Sequence, residues 1–259
     1  MTAMPVLPTQ VAAPAEAPAH LRHLRVALED GASTTVHVAQ YPRASTDVRV
    51  VRLRRPQPLA AWCARNAAPE ALVGGFYTRP HGTPLGELRT RGVERRHLPF
   101  DAPWDTVRAC VHVAGGEVAI CRRDALPAHP RGDLLQAGPL LVADGAVIPG
   151  DPEGFSVGAR QFDSDITVGR HPRAALGATA THLLALACDG RAEDEAGLTL
   201  SELAELLVAV GARHAINLDG GGSASLVCGG ALRNVSRARH GVELPGGRAI
   251  STALLFRHR

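Results

Sequence analysis

The chain is 259 residues long, 45% hydrophobic and 20% charged, with a net charge of +3 at neutral pH. This is ordinary globular composition at a length that buries a core without disulfide or metal staples, and so small a positive balance leaves no electrostatic footprint for nucleic acid. Five scattered cysteines (Cys63, Cys110, Cys121, Cys188 and Cys228) show no CxxC or Cys/His spacing, which points to free thiols in a reducing compartment.

Residues 1–20 are rich in Ala and Pro and carry no basic start followed by an apolar run. They read as a disordered tail rather than a secretory signal. No stretch approaches the roughly 20 apolar residues of a membrane helix. The expectation is a cytoplasmic protein with neither a membrane nor a nucleic-acid partner. Leu24, Val26 and Leu28 alternate up to Asp30-Gly31, and Val36 and Val38 resume the alternation, a hairpin pattern. Val48 to Leu53 is a further strand, and Pro58 to Ala67 a short helix. Ala71-Leu72-Val73 runs as a strand into Gly74-Gly75-Phe76-Tyr77. A second hairpin is expected at 107–121, turning at Gly115-Gly116, and a third around Asp144-Gly145. Residues 149–170 read as an ordered Gly- and Asp-rich loop.

Thr181 to Cys188 is continuously apolar, as in a strand buried on both faces. Thr199 and Glu202 form a capping box. Leu200, Leu203, Leu206, Leu207 and Val210 follow at helical spacing, and Gly211 is placed to end the helix. Ala215 to Leu218 is a strand leading into Asp219-Gly220-Gly221-Gly222-Ser223; Leu226-Val227 and Ile250 to Phe256 are the last strands. The fold class expected is α+β (mixed α/β): one domain over residues 21–259, a strand-rich mixed sheet with few helices.

The chemistry concentrates around Asp219. Three successive glycines are tolerated where a backbone turns sharply or approaches a ligand, and their amides can form an anion-binding concavity. Asp189-Gly190-Arg191 follows the apolar strand, and His171-Pro172-Arg173 supplies another guanidinium. If the strands bearing Asp189 and Asp219 are neighbours, two carboxylates and a guanidinium converge. Asp151, Glu153, Asp163 and Asp165 form an acidic loop whose oxygens suit Ca²⁺ or Mg²⁺. A solvated acidic loop accounts for them better than a metal site, and the spacing fits no EF-hand, so the metal is left open. No P-loop, Rossmann fingerprint or HExxH pattern is present. His171 and His214 read as structural.

These segments resemble the phosphodiester glycosidase family. Gly74-Gly75-Phe76-Tyr77 is similar to its NGGFF, and Thr83-Pro84-Leu85-Gly86 to its xPLG turn. Gly138-Pro139-Leu140-Leu141 with Asp144-Gly145 is similar to GPLLVxDG, and His171-Pro172-Arg173 to HPRT. Asp189-Gly190-Arg191, the capped helix and Asn217 to Ser225 resemble DGR…GLTLxELA…NLDGGGSS, and Arg248 to Leu255 resembles the closing strand RPVxNALL. Four positions depart from the pattern: Val73 and Thr252 stand where the family has Asn, Ala174 where it has Thr, and Ala224 where it has a second hydroxyl.

The resemblance implies hydrolysis of a sugar-1-phosphodiester to a free sugar and a phosphomonoester. It makes the partner a small sugar-phosphate; the lack of a signal-like pattern, rather than the resemblance, points to an intracellular substrate, a nucleotide-linked sugar or a biosynthetic intermediate. Asp219 is the first choice for the carboxylate facing the anomeric carbon, and Asp189 the second. Arg173 and Arg191 are assigned to the phosphate, with Gly220, Gly221, Gly222 and Ser223. Gly74, Gly75 and Tyr77 are assigned to the sugar side. Phosphate is an acidic leaving group, so the site needs anion stabilisation more than a strong general acid. Two readings compete: cleavage at P–O by a phosphodiesterase, and a sugar-phosphate-binding module without turnover.

Overall fold

The computed structural model describes residues 9–11, 21–149 and 169–259. Strands dominate, and the α-helices among the described residues are Leu59–Arg65, Trp104–Val107 and Leu200–Ala209. Within the segment read as a tail, Thr9–Val11 forms a strand paired with Leu21–Ala27. The acidic residues 151–165 lie outside the described residues, as does most of the loop expected at 149–170.

The largest sheet has eight strands. In spatial order they are Thr9–Val11, Leu21–Ala27, Ser33–Pro42, His182–Cys188, Ala174–Ala178, His214–Asn217, Leu140–Ala143 and Ala146–Val147. Two five-stranded sheets accompany it. One contains the hairpin Ala109–Ala114/Glu117–Arg122 with Asp133–Gln136, and the other places Ala71–Val73 between Leu226–Cys228 and Ala249–His258. Every strand ladder among the described residues is antiparallel, so the mixed sheet expected from sequence is resolved into antiparallel ones.

The strand His182–Cys188 shows why its sequence is apolar throughout. Leu183, Ala185 and Ala187 enter one core cluster with Val50, Leu72, Val111 and Leu254 from the two smaller sheets. Leu184, Leu186 and Cys188 enter the other, against Leu203 and Leu207 of the helix Leu200–Ala209. Alternate side chains thus bury both faces of the large sheet, one under a helix and one under further sheets. Thr199 caps the helix as expected: its Oγ1 accepts from the Glu202 amide at 3.1 Å, and Glu202 Oε2 accepts from the Thr199 amide at 2.8 Å.

The strand Ala174–Ala178 was not anticipated. Its residues, Ala-Ala-Leu-Gly-Ala, lack β-branched side chains, yet it sits fully buried between His182–Cys188 and His214–Asn217. Small residues suit it there, because Leu207 and Ala212 approach within 3.3 Å of where a Cβ on Gly177 would stand. It runs antiparallel to both neighbours, which therefore run the same way. Arg173 before it, Asp189 after one neighbour and Asp219 after the other consequently lie at one end of the sheet.

Candidate active site

The glycine turn is stitched to several segments by main-chain hydrogen bonds. The Asp219 amide donates to Gly74 O at 3.0 Å, Gly221 N to Pro172 O at 2.7 Å and Arg248 N to Gly222 O at 3.2 Å. Glycine is required sterically. A Cβ on Gly220 would stand 2.9 Å from Pro172 O, and Gly221 has φ +58°. Two cations stand against the turn. A Cβ on Gly221 would meet the Arg191 guanidinium at 3.1 Å, and one on Gly222 the Arg248 guanidinium at 2.9 Å. Arg191 and Arg248 therefore flank the turn.

Asp219 is buried, and its Oδ2 has no hydrogen-bond partner among the described residues. Burial pushes its carboxyl pKa up to about 7; the Ser223 hydroxyl, the Arg248 guanidinium, the Gly220 backbone and Arg79 oppose that rise. A carboxyl that ionises near neutrality beside fixed cations can take up and release a proton at working pH. Tyr77 lies in the same electrostatic neighbourhood. Burial first, then the Asp219 charge, raises its phenol pKa, and its hydroxyl donates to Ala249 O at 2.6 Å.

Gly74 and Gly75 abut Thr252, one of the four departures from the family pattern. Thr252 Oγ1 accepts from the Gly75 amide at 2.9 Å, and a Cβ on Gly74 would stand 2.5 Å from that same oxygen. The threonine hydroxyl thus holds the Gly74-Gly75 backbone from the closing strand. A second buried acceptor, Asn217 Oδ1, also lacks a partner among the described residues.

Asp219, the three glycines, Ser223, Arg191, Gly74, Gly75 and Tyr77 are brought together. Arg173 lies beneath them, with its Cδ 3.8 Å from the Cβ position of Gly220. Its Nε and Nη2 donate to the carbonyls of Leu198 and Gly169 at 3.0 and 2.9 Å. Asp189 is directed elsewhere, because the strand Ala174–Ala178 separates its strand from that of Asp219. Its Oδ1 accepts from the Val235 amide at 2.6 Å and its Oδ2 faces His37 Nε2 at 3.2 Å. His37 Nδ1 lies in turn 2.8 Å from His23 Nδ1. These contacts brace the strand end and the 233–236 loop.

Arg248 and Arg79 were not singled out from sequence as site residues. Arg248 opens the closing-strand motif, which was a usable signal; Arg79 stands in a loop with none. Among the described residues no three His, Cys, Asp or Glu side chains converge as a metal site. No described helix is long and apolar enough to cross a membrane.

Among solved structures, the chain is similar to the catalytic domain of zebrafish N-acetylglucosamine-1-phosphodiester alpha-N-acetylglucosaminidase, auto-inhibited by its pro-peptide. The TM-score is 0.70 at 21% identity, over 98% of this chain and 89% of that one. A hypothetical protein from Synechocystis matches with a TM-score of 0.63 and 17% identity, over 97% and 68% of the two chains. A Burkholderia pseudomallei K96243 protein described as exported matches at 0.62 and 15%, over 90% and 75%. At these identities the likeness is one of fold. A search of curated proteins finds no match. The model of the phosphodiester glycosidase family matches residues 66–257, which contain the glycine turn, both flanking arginines and Asp219. The chain belongs to the phosphodiester glycosidase family.

Proposed function

We propose that the chain hydrolyses the bond between the anomeric carbon and the bridging oxygen of a glycosyl phosphodiester, releasing free sugar and a phosphomonoester. The observation that carries this reading is Asp219: buried, with one unpartnered oxygen and a pKa lifted to about 7, at a glycine turn flanked by Arg191 and Arg248. In the ionised form its carboxylate accepts a proton from the attacking water and offsets positive charge developing on the sugar ring. The two guanidinium groups meet the negative charge that collects on the departing phosphate. Because that leaving group is already acidic, one carboxylate suffices for the proton transfer. Asp189 then acts by position, holding the 233–236 loop against the strand end. Tyr77, Gly74 and Gly75 form the sugar side, and Arg173 supports the turn from beneath.

The test is incubation of the purified protein with a panel of sugar-1-phosphodiesters, with and without EDTA, following products by mass spectrometry. Free sugar plus phosphomonoester, with turnover in Asp219→Asn reduced at least a hundredfold, supports the assignment. Comparable turnover by a folded Asp219→Asn protein removes Asp219 from the chemistry. Loss of turnover in the EDTA arm assigns a divalent cation to the reaction.

A further inference from the structure

The 233–236 loop leaves the ladder that its sequence position would extend. The strands Leu226–Cys228 and Ala231–Leu232 pair Cys228 with Ala231 and Val227 with Leu232, and the Arg233 amide carries the ladder on to Leu226 O at 2.8 Å. Continued, that register would offer the Arg233 carbonyl to the Leu226 amide and the Val235 amide to the Ala224 carbonyl. The Val235 amide donates to Asp189 Oδ1 at 2.6 Å instead. The Leu226 amide donates to Asn234 Oδ1 at 2.9 Å, and Asn234 Nδ2 donates to Ala224 O at 2.8 Å. The Ser236 hydroxyl donates to that same carbonyl at 3.0 Å. A carboxamide carries the donor and acceptor of a peptide unit, so Asn234 stands in for the backbone that Asp189 has drawn away.

What these two buried side chains hold is the end of the glycine turn. Ala224 closes it: its amide donates to Gly221 O at 3.2 Å, and the helical turn Gly221–Ser223 ends on it. The residue before it, Ser223, is buried, and its hydroxyl is hydrogen-bonded to the Asp219 carboxyl and to the Tyr77 phenol. A hydroxyl that donates to a carboxylate favours the ionised form. The other groups facing Asp219 are the Arg248 and Arg79 guanidinium groups, the Gly220 backbone and the Tyr77 phenol. These come from the closing strand, from the 78–82 loop and from the turn itself. Ser223 is therefore the contact of Asp219 that a shift of the Ala224 peptide would move first.

We propose that Asn234 is a positioning residue for the base: its carboxamide, assisted by the Ser236 hydroxyl, fixes the Ala224 peptide so that the Ser223 hydroxyl stays on the Asp219 carboxyl. The inference rests on the reading of Asp219 as the base. Asn234 lies one peptide beyond Ser223 and acts through it. Without the carboxamide, the Ala224 carbonyl keeps one of its two side-chain donors and the Leu226 amide loses its acceptor. The turn then relaxes at its exit, Ser223 withdraws, and Asp219 holds its proton to higher pH.

The test follows the ionisation of Asp219 in two ways. The first needs no substrate: the melting-temperature difference between a protein and its Asp219→Asn counterpart is measured across pH, and it stops growing above the pKa of the folded state. The second is the pH at which kcat/KM on a hydrolysed phosphodiester levels off. Asn234→Ala should raise both plateau values by about one pH unit, the size of a hydrogen bond lost from a charged group. Ser236→Ala should raise them less, and it carries the test if Asn234→Ala does not fold. Ser223→Ala should raise them as far as Asn234→Ala, and the double variant no further, because both changes remove one contact. His37→Ala leaves the bonds to Ala224 in place and should lower stability with both plateaus unmoved. Unmoved plateaus in the folded Asn234 and Ser236 variants, additive shifts in the double variant, or an equal shift in His37→Ala overturn the positioning role. If the wild type hydrolyses no phosphodiester, the hydrolase reading falls and the melting arm alone decides the positioning role.

Discussion

Replacing Asp219 with Asn removes a titrating group from the core while keeping nearly its shape. In the folded protein the carboxyl ionises at about 7 against 3.8 for an ordinary aspartate, the rise coming from burial. A raised native pKa means that the folded state holds its proton over a window in which the unfolded chain has lost it. The stability this confers is fully present below pH 4 and is lost progressively as pH rises towards 7. A pKa difference of about 3, at about 1.36 kcal/mol for each unit, corresponds to about 4 kcal/mol. The asparagine amide carries no charge to desolvate and escapes that loss. Asp219→Asn should therefore match wild type in melting temperature near pH 4. It should exceed wild type at pH 8 by about 8–16 °C, taking about 2–4 °C per kcal/mol for a domain of this size. Melting curves of both proteins across pH 4–8, read as the difference between them, cancel the titration of every other group. A difference that stays constant with pH would refute the claim that Asp219 is held against its own ionisation.

The same pKa governs the rate. If ionised Asp219 takes the proton from water, kcat/KM on a hydrolysed phosphodiester should rise with pH and level off above about 7; a profile flat from pH 5 to 9 would contradict that role. Arg248→Ala should lower turnover by about a hundred- to a thousandfold, the usual effect of removing one donor from an anion-stabilising site, with the melting temperature little changed. Gly74→Ala should cost about 1–3 kcal/mol by overpacking, since the added carbon would stand 2.5 Å from Thr252 Oγ1 and 2.8 Å from the Thr252 carbonyl carbon; chemical denaturation measures it. His37→Ala should cost about 1–3 kcal/mol by leaving a buried Asp189 oxygen unsatisfied, with kcat/KM following stability rather than showing a change in its pH profile.

Local chemistry was legible where neighbours in sequence are neighbours in space. The hairpin at Gly115-Gly116, the capped helix after Thr199 and the strand into Asp219 rest on turn glycines, a reciprocal cap and apolar spacing, all of which act over a few residues. Ala174–Ala178 was not legible, because an Ala/Gly strand has no β signature; it is a strand because two longer strands flank it in a tightly packed core. The site divides in the same way. Asp219 and its glycines are contiguous and stood out. The direction of Asp189 depends on His37, a residue of the distant strand Ser33–Pro42, and nothing within the Asp-Gly-Arg triplet reveals that partner. The arrival of Arg248 against Gly222 likewise depends on how the closing strand enters its sheet.

The central claim is that the bond cleaved is the one at the anomeric carbon, with Asp219 as the base. Hydrolysis of a sugar-1-phosphodiester in ¹⁸O water, with mass analysis of both products, tests it most directly. The account predicts the heavy oxygen in the released sugar and its near disappearance from the products of Asp219→Asn. Heavy oxygen in the phosphate would place the cleavage at P–O and contradict it.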